Sequence, residues 1–405
     1  MFQISGLCPV YNRLSRKRDF FRGDGVLAQQ TTLEGYWHAD RCDMRVASVR
    51  LRLVQPVEYL RKRGLSIDTS ERPFDPARHD VVLFCKSVSA EAQDIAERAK
   101  AEGKIIIYDL CDNVFAGKKN KKTEQRSAAV RKMLAIADHA VFTTHVLRQQ
   151  VLETVAYPIE QTTVIPDGLD RFLRGSDRRG GEIEQACQGI EGFLGKHQGA
   201  LHCIWFGKSQ GRKSGIAHIG RAVRELEEFS TRRPVTLTVV SNRPFRYWIH
   251  SRRWRIPHYY QEWQAENFGD ILARHDVAVI PVEQNEYTLG KTINRPATAI
   301  LSGLGVVADS IPAYEELRRY IAFDDWQAQL ELYSTCPPAQ DTRLAAAKSY
   351  LEGCYGIDRV GSMWLEMLSR LHRGKCDLVN VNMASACLRE AGSSPSSMDH
   401  LTASR

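Results

Sequence analysis

The feature that most constrains this chain is a repeated alternation. Short apolar runs, VVLFC at 81–85, IIIYD at 105–109, AVFTT at 140–144 and TVIP at 163–166, are interleaved with stretches of helical composition at 88–102 and 126–137. Runs this short and this uniformly apolar fit strands buried on both faces, and the helices between them supply right-handed crossovers to parallel neighbours. After residue 200 the alternation starts again. LHCIWF (201–206), VTLTVV (235–240), VAVI (277–280) and GVVAD (305–309) read as strands, with helices over 214–229, 264–273 and 292–302, the last closed by Gly303. The Gly- and charge-rich stretch 167–185 separates the two sets, and helices are expected at 341–352 and 356–373. Ahead of the first run the pattern is weaker, with strand-like pieces near 45–54 and a helix at 56–64. The fold class is therefore α/β, as two Rossmann-like doubly wound domains facing across a cleft. The first is expected over 1–180 and the second over 181–355, followed by a helix at 356–375 and a Ser-, Ala- and Pro-containing tail at 376–405 expected to be poorly ordered.

A chain of 405 residues with 43% hydrophobic and 26% charged residues is long enough to bury such cores and is neither disordered nor fibrous. The formal charge of +8 permits anionic partners without requiring nucleic acid. No run of about 18 apolar residues offers a membrane span, and the first residues lack the apolar stretch of a secretory signal. Ten cysteines, with no C-x-x-C among them, read as free thiols of a cytoplasmic protein. There is no H-E-x-x-H, clustered His/Cys set or Walker loop, so neither a structural zinc nor ATP hydrolysis is expected.

In open α/β sheets ligands bind beyond the carboxyl ends of the strands, so the residues just after each apolar run carry the interest. Asp109, Asp112 and Asn113 follow one run, where a carboxylate holds an acceptor hydroxyl or acts as a base; Asx residues there also cap turns. WFGKSQGRKSG follows another. Its Gly207, Gly211 and Gly215 allow close backbone approach, and Lys208, Arg212 and Lys213 supply charge for a diphosphate, or form a solvated basic loop. Lys291, Thr292, Asn294 and Arg295 precede or open a helix whose first turn is fixed by Pro296. Cations are disfavoured at a helix N-terminus, so Lys291 and Arg295 there call for a bound anion. Glu315 and Glu316 follow GVVAD, placed to take ribose hydroxyls or to favour a helix first turn.

Taken together, IIIYDLCDNVF, HAVFTT and VIPDGLD resemble the N-terminal half of GT-B glycosyltransferases, and IWFG…VTLTVVSN…HDVAVIPV…GKTINRPATAILSGLGVVADSIPAYEEL resembles their nucleotide-sugar domain. The likeness spans roughly residues 45–373 and is nearest to bacterial family-one-type enzymes of polysaccharide pathways. It implies a nucleotide-sugar donor held by the second domain, with Gly207, Lys291, Asn294 and Arg295 in contact with it. It implies a glycan or lipid-linked acceptor held by the first domain, and a helix at 356–373 that crosses back. The E-x₇-E of many retaining members is missing, since its positions are Gly290 and Thr298; Glu286 and Asn294 share the spacing but not the register. The second half has no D-x-D to hold a metal and diphosphate, so a metal-independent transferase without cofactor is expected, with Asp112 as the catalytic candidate.

Two other readings are open. One is a GT-B-shaped sugar-nucleotide-binding protein or epimerase without transfer activity. The other, a nucleic-acid binder, rests on five arginines interleaved with Phe245, Tyr247, Trp248 and Trp254 over 243–255, but no module frames that run and no nucleic acid is expected as partner. Finally, KKNKKTEQRSAAVRK at 118–132 carries seven basic residues and one acid. It reads as a solvated face or as a peripheral contact with anionic lipid at the inner membrane face.

Overall fold

The computed structural model describes residues 33–117, 120–172, 182–211 and 214–391, without the side chains of 182–186 and 376–391. In chain order the first domain holds β1 (Glu34–His38), a helical stretch (Val49–Val54) running into α1 (Gln55–Lys62), β2 (Ser66–Thr69), β3 (Val81–Cys85), α2 (Ala90–Ala101), β4 (Ile105–Leu110), α3 (Lys121–Ile136), β5 (His139–Phe142), α4 (His145–Leu152) and β6 (Thr162–Val164). Next come α5 (Glu182–Gly195), β7 (Leu201–Phe206), α6 (Ile219–Phe229), β8 (Val235–Ser241), α7 (Phe245–Ser251), β9 (His258–Glu262), α8 (Phe268–Leu272), β10 (Val277–Ile280), α9 (Asn294–Leu301), β11 (Gly305–Ala308), α10 (Trp326–Thr335), α11 (Thr342–Tyr355) and α12 (Ile357–Ala391).

The strands form two parallel sheets, in the orders β2-β1-β3-β4-β5-β6 and β11-β10-β7-β8-β9. The order reverses between β1 and β3 in the first sheet and between β7 and β10 in the second, and such switch points open crevices at the carboxyl ends of the strands. All five residues of β3 and all six of β4 are buried, because helices cover both faces. Apolar clusters fill the two sides of the first sheet separately. Val360, Trp364, Met367 and Leu368 of α12 belong to one of them, with Trp364 edge-on to Trp37 at 6.3 Å and Tyr59 bonded to Ser362. The last helix therefore packs on the first domain, as the resemblance implied.

Several elements depart from expectation. Residues 49–54 are π-helical rather than strand-like. The segment carries Arg50 and Arg52 inward, where Asp170 binds Arg50 at 2.6 Å while Asp109 and the Ile165 carbonyl bind Arg52; these bonds outweigh the strand-like alternation of apolar and basic residues. The helix expected over 264–273 contracts to Phe268–Leu272. β1, β2, α4, β9, α5, α7 and α10 were not read from the pattern; β1 carries aromatics instead of a β-branched run, and only the middle two of β2's four residues are buried. Gly303 has φ of 84° and closes α9 as its position suggested. The expected tail begins as helix, since α12 runs to Ala391; residues 392–405 lie outside the described ones.

Candidate functional site

Both switch points face one cavity of about 270 Å³. Its wall on the first domain includes Ser48, Leu51, Lys86, Cys111, Asp112 and Asp167; its wall on the second includes Gly207, Lys208, His218, Tyr287, Lys291, Asn294, Arg295 and Tyr314.

The centre is an ion triad. Lys86, the residue directly after β3, and Lys291, ahead of α9, both donate to Asp112, one to each carboxylate oxygen, and the Tyr287 hydroxyl donates to the same carboxylate at 3.2 Å. Burial alone would raise the Asp112 pKa, but Lys291 and then Lys86 outweigh it and hold the carboxyl far below its usual range. A carboxylate held this way is a poor proton acceptor at neutral pH. The expected base at Asp112 is therefore revised to a charged group that positions two lysines. Lys86 was missed, although it stands directly behind a conspicuous apolar run. Its φ of 55° is strained for a residue with a side chain, a feature composition does not reveal.

Asp109 is also revised. Its side chain is fully buried and both oxygens accept from Arg52, at 2.5 and 3.0 Å, so it ties the 49–54 segment to β4 rather than facing an acceptor. Asn113 donates to the Glu286 carbonyl and to Gln150, both at 3.2 Å. It belongs to a docking seam in which Gln150 also donates to Glu286 and the Thr144 hydroxyl donates to the Gly290 carbonyl. Glu286, one of the residues with the E-x₇-E spacing, thus lies against the first domain.

On the other wall, Arg295 is half-buried, stands 5.8 Å from the Trp205 ring centroid, and has no carboxylate partner among the described residues. Desolvation pulls its pKa down, the mark of a cation stripped of water without compensation. Gly207 is tight against it, since a Cβ there would lie 2.6 Å from Arg295 Nη2. Lys208 is exposed at the rim, its pKa also lowered, by desolvation and then by Lys86. Lys213 and its neighbour Arg212 lie outside the described residues. Asn294 donates to Asp167 at 2.8 Å, linking α9 to the first domain. Glu315 does not line the cavity. It accepts from Arg318 and from Ser310, both at 2.7 Å, and the Arg318 bond, then Ser310, draws its pKa down to about 2; the ribose contact is revised to a local ion pair.

Two buried polar atoms on the cavity wall make no hydrogen bond among the described residues: Asp167 Oδ1, which stands 3.6 Å from Arg52 Nη1, and His218 Nε2, which stands 3.9 Å from a Glu283 carboxylate oxygen. His218 Nδ1 accepts from the Glu283 N–H at 3.1 Å, so in the neutral ring Nε2 carries the hydrogen. Burial lowers its pKa and keeps that neutral form. Neither residue was singled out from the sequence. Among the described residues, Lys86, Lys208, Lys291 and Arg295 face Asp112 and Asp167 as the only carboxylates lining the cavity, which therefore favours an anionic ligand.

No protein-family model matches the sequence, and no curated protein matches it. Solved structures do resemble the fold. WaaG, a glycosyltransferase involved in lipopolysaccharide biosynthesis, aligns with a TM-score of 0.53 at 13% identity over 82% of this chain and 99% of its own. OtsA in its apo form aligns with a TM-score of 0.52 at 11% identity, over 78% and 76%. The α,α-trehalose 6-phosphate synthase of Burkholderia multivorans gives 0.51 at 11% identity, over 83% and 79%. The two facing parallel-sheet domains of this chain are the GT-B fold.

Proposed function

We propose that the protein is a metal-independent glycosyltransferase. It moves a sugar from a nucleotide-sugar donor in the second domain to a glycan, lipid-linked or other acceptor that enters from the first. The observation that carries this reading is Arg295, a half-buried cation at the β7/β10 switch point with no carboxylate partner among the described residues. In transfer, the acceptor hydroxyl oxygen bonds to the anomeric carbon as the carbon–oxygen bond to the diphosphate breaks, and the hydroxyl proton passes to the departing diphosphate. Negative charge then grows on the leaving diphosphate. Arg295, Lys291 and Lys208, with the N-terminus of α9, supply the compensating field that a divalent cation would otherwise provide. Lys291 has three N–H donors; Asp112 and Tyr287 take two, which leaves one for a phosphate oxygen. The WaaG likeness favours a surface-polysaccharide acceptor.

The test is thermal stabilisation by a panel of sugar nucleotides, followed by transfer assays with and without EDTA. Binding without transfer to any acceptor would instead favour the sugar-nucleotide-binding reading, for which the missing E-x₇-E speaks.

A finer part of the proposal is peripheral attachment to an anionic membrane through 118–132. No helix among the described residues is long and apolar enough to cross a membrane. Of that stretch, Lys132 pairs with Glu97 at 2.7 Å and Arg131 donates to the Thr154 carbonyl. Lys121, Lys122 and Arg126 remain exposed on α3, while Lys118 and Lys119 lie outside the described residues.

A further inference from the structure

Among the described residues five bulky apolar side chains are exposed, and three of them sit on one seven-residue helix: Phe245 at 66%, Trp248 at 56% and Ile249 at 51% of α7. Their i, i+3, i+4 spacing puts them on one face. The ordinary orientation of a surface helix is thus inverted. Its inward anchor is Tyr247, which packs on Tyr260 and Trp254 at ring distances of 5.1 and 5.8 Å. Exposed bulky apolar residues are unremarkable singly, but a cluster marks a contact surface.

Along this stretch of chain the charged residues have one sign, although Arg255 at its end is paired with Glu227. No Asp or Glu occurs between Ser241 and Gln261, and Arg243, Arg252 and Arg253 are exposed without a carboxylate partner among the described residues. Arg246 is occupied differently, donating to the Gly211 carbonyl at 2.5 Å, while Ser209 is bonded to Asn242 at 3.1 Å. Those bonds tie α7 to the loop that begins with Gly207 and Lys208, at the cavity.

We infer that α7 is a membrane-docking element, inserting Phe245, Trp248 and Ile249 into the interface of an anionic bilayer while the flanking arginines bind lipid phosphates. Apolar burial and attraction to anionic headgroups are the two terms that hold interfacial helices, and this short segment carries both. Aromatic rings and arginine stems suit the headgroup region, where one end is apolar and the other wet. A single-stranded nucleic acid fits less well: it stacks on aromatic platforms along a basic groove, whereas here an aliphatic side chain shares a helix ridge. The contact would hold the cavity mouth near the bilayer, within reach of a lipid-linked acceptor; that consequence rests on the proposed transfer reaction, but the docking itself does not.

The experiment is co-sedimentation of the full chain with phosphatidylcholine vesicles, with or without phosphatidylglycerol, at low and high salt. Three variants accompany it: Phe245→Ser/Trp248→Ser/Ile249→Ser, Arg252→Glu/Arg253→Glu, and Lys121→Glu/Lys122→Glu/Arg126→Glu on α3. Circular dichroism confirms that each is folded. The wild type should bind the anionic vesicles. The apolar variant should lose about tenfold or more in affinity, the equivalent of one buried side chain. The arginine variant should lose most of its binding at low salt, and the α3 variant should retain an α7-dependent share. The inference is overturned if the wild type ignores anionic vesicles, if the α7 variants bind as well as wild type, or if an oligonucleotide displaces the vesicles and its own binding needs α7. Sugar-nucleotide stabilisation measured on the same proteins keeps the two claims apart: its absence would sink the transferase reading and leave the vesicle result standing.

Discussion

Arg295 sets two properties in opposition. A cation drawn partly out of water without a carboxylate costs stability, and the same uncompensated charge attracts a diphosphate. Arg295→Met should therefore weaken sugar-nucleotide binding by about 1.5–3 kcal/mol, the range for a hydrogen bond to a charged group, while leaving the melting temperature equal or higher. Calorimetric titration and thermal unfolding of the same variant check both halves. Loss of stability together with unchanged affinity would show Arg295 to be structural. At this scale the sequence was informative where a residue's type conflicted with its position. Lys291 and Arg295 beside a helix start are such a conflict, and both line the cavity. It was uninformative where the partner lies far along the chain. Arg52 meets Asp109 57 positions away and Lys291 meets Asp112 179 positions away, so two carboxylates that looked free are committed to ion pairs.

At the scale of elements, the close approach of the loop after β7 to α9 is the feature on which the donor side depends. Gly207 has no room for a side chain, because a Cβ would meet Arg295 Nη2 and the Trp205 ring. Gly207→Val should displace Arg295 and reduce donor affinity about as much as its removal, with the fold retained. Donor titration together with near-ultraviolet circular dichroism checks this, and affinity equal to wild type would contradict it. Strands buried on both faces were legible because their composition is uniform, as in VVLFC and IIIYD. Segments with a partner on only part of their surface were not. Only the middle two of β2's four residues are buried, and the 49–54 segment alternates apolar and basic residues like a strand yet folds as a π-helix under the pull of its arginines. α7 was read as an aromatic and basic run, but its outward apolar face needed the structure.

The whole molecule carries a set of histidines kept neutral by burial. His139 and His275 are each pushed down to about 4, chiefly by desolvation, and His38, His202 and His218 shift the same way. His275 illustrates the balance: burial lowers it and outweighs the opposing pull of its bond to the Ile271 carbonyl at 2.7 Å. Unfolded histidines take up protons near 6.5 and the folded ones do not, so stability should be full above that value. It should fall as pH drops from 6.5 toward about 4, by about 1.4 kcal/mol per pH unit for each fully shifted histidine. Urea unfolding across that window measures the slope, and a flat profile would refute it. The two-sheet plan was legible at this scale, because alternation is a property of long stretches, whereas the crossover of α12 followed only from the resemblance. The central claim is that the cavity between the sheets holds a nucleotide sugar by side-chain cations and the N-terminus of α9, without a metal. The most direct test is calorimetric titration of sugar nucleotides, and of their nucleoside diphosphates, into the protein with and without EDTA. The account predicts saturable binding of at least one nucleotide sugar, unchanged by EDTA and weakened by about tenfold or more in Arg295→Met; binding that requires added Mg²⁺ or Mn²⁺, or no binding to any member of the panel, would contradict it.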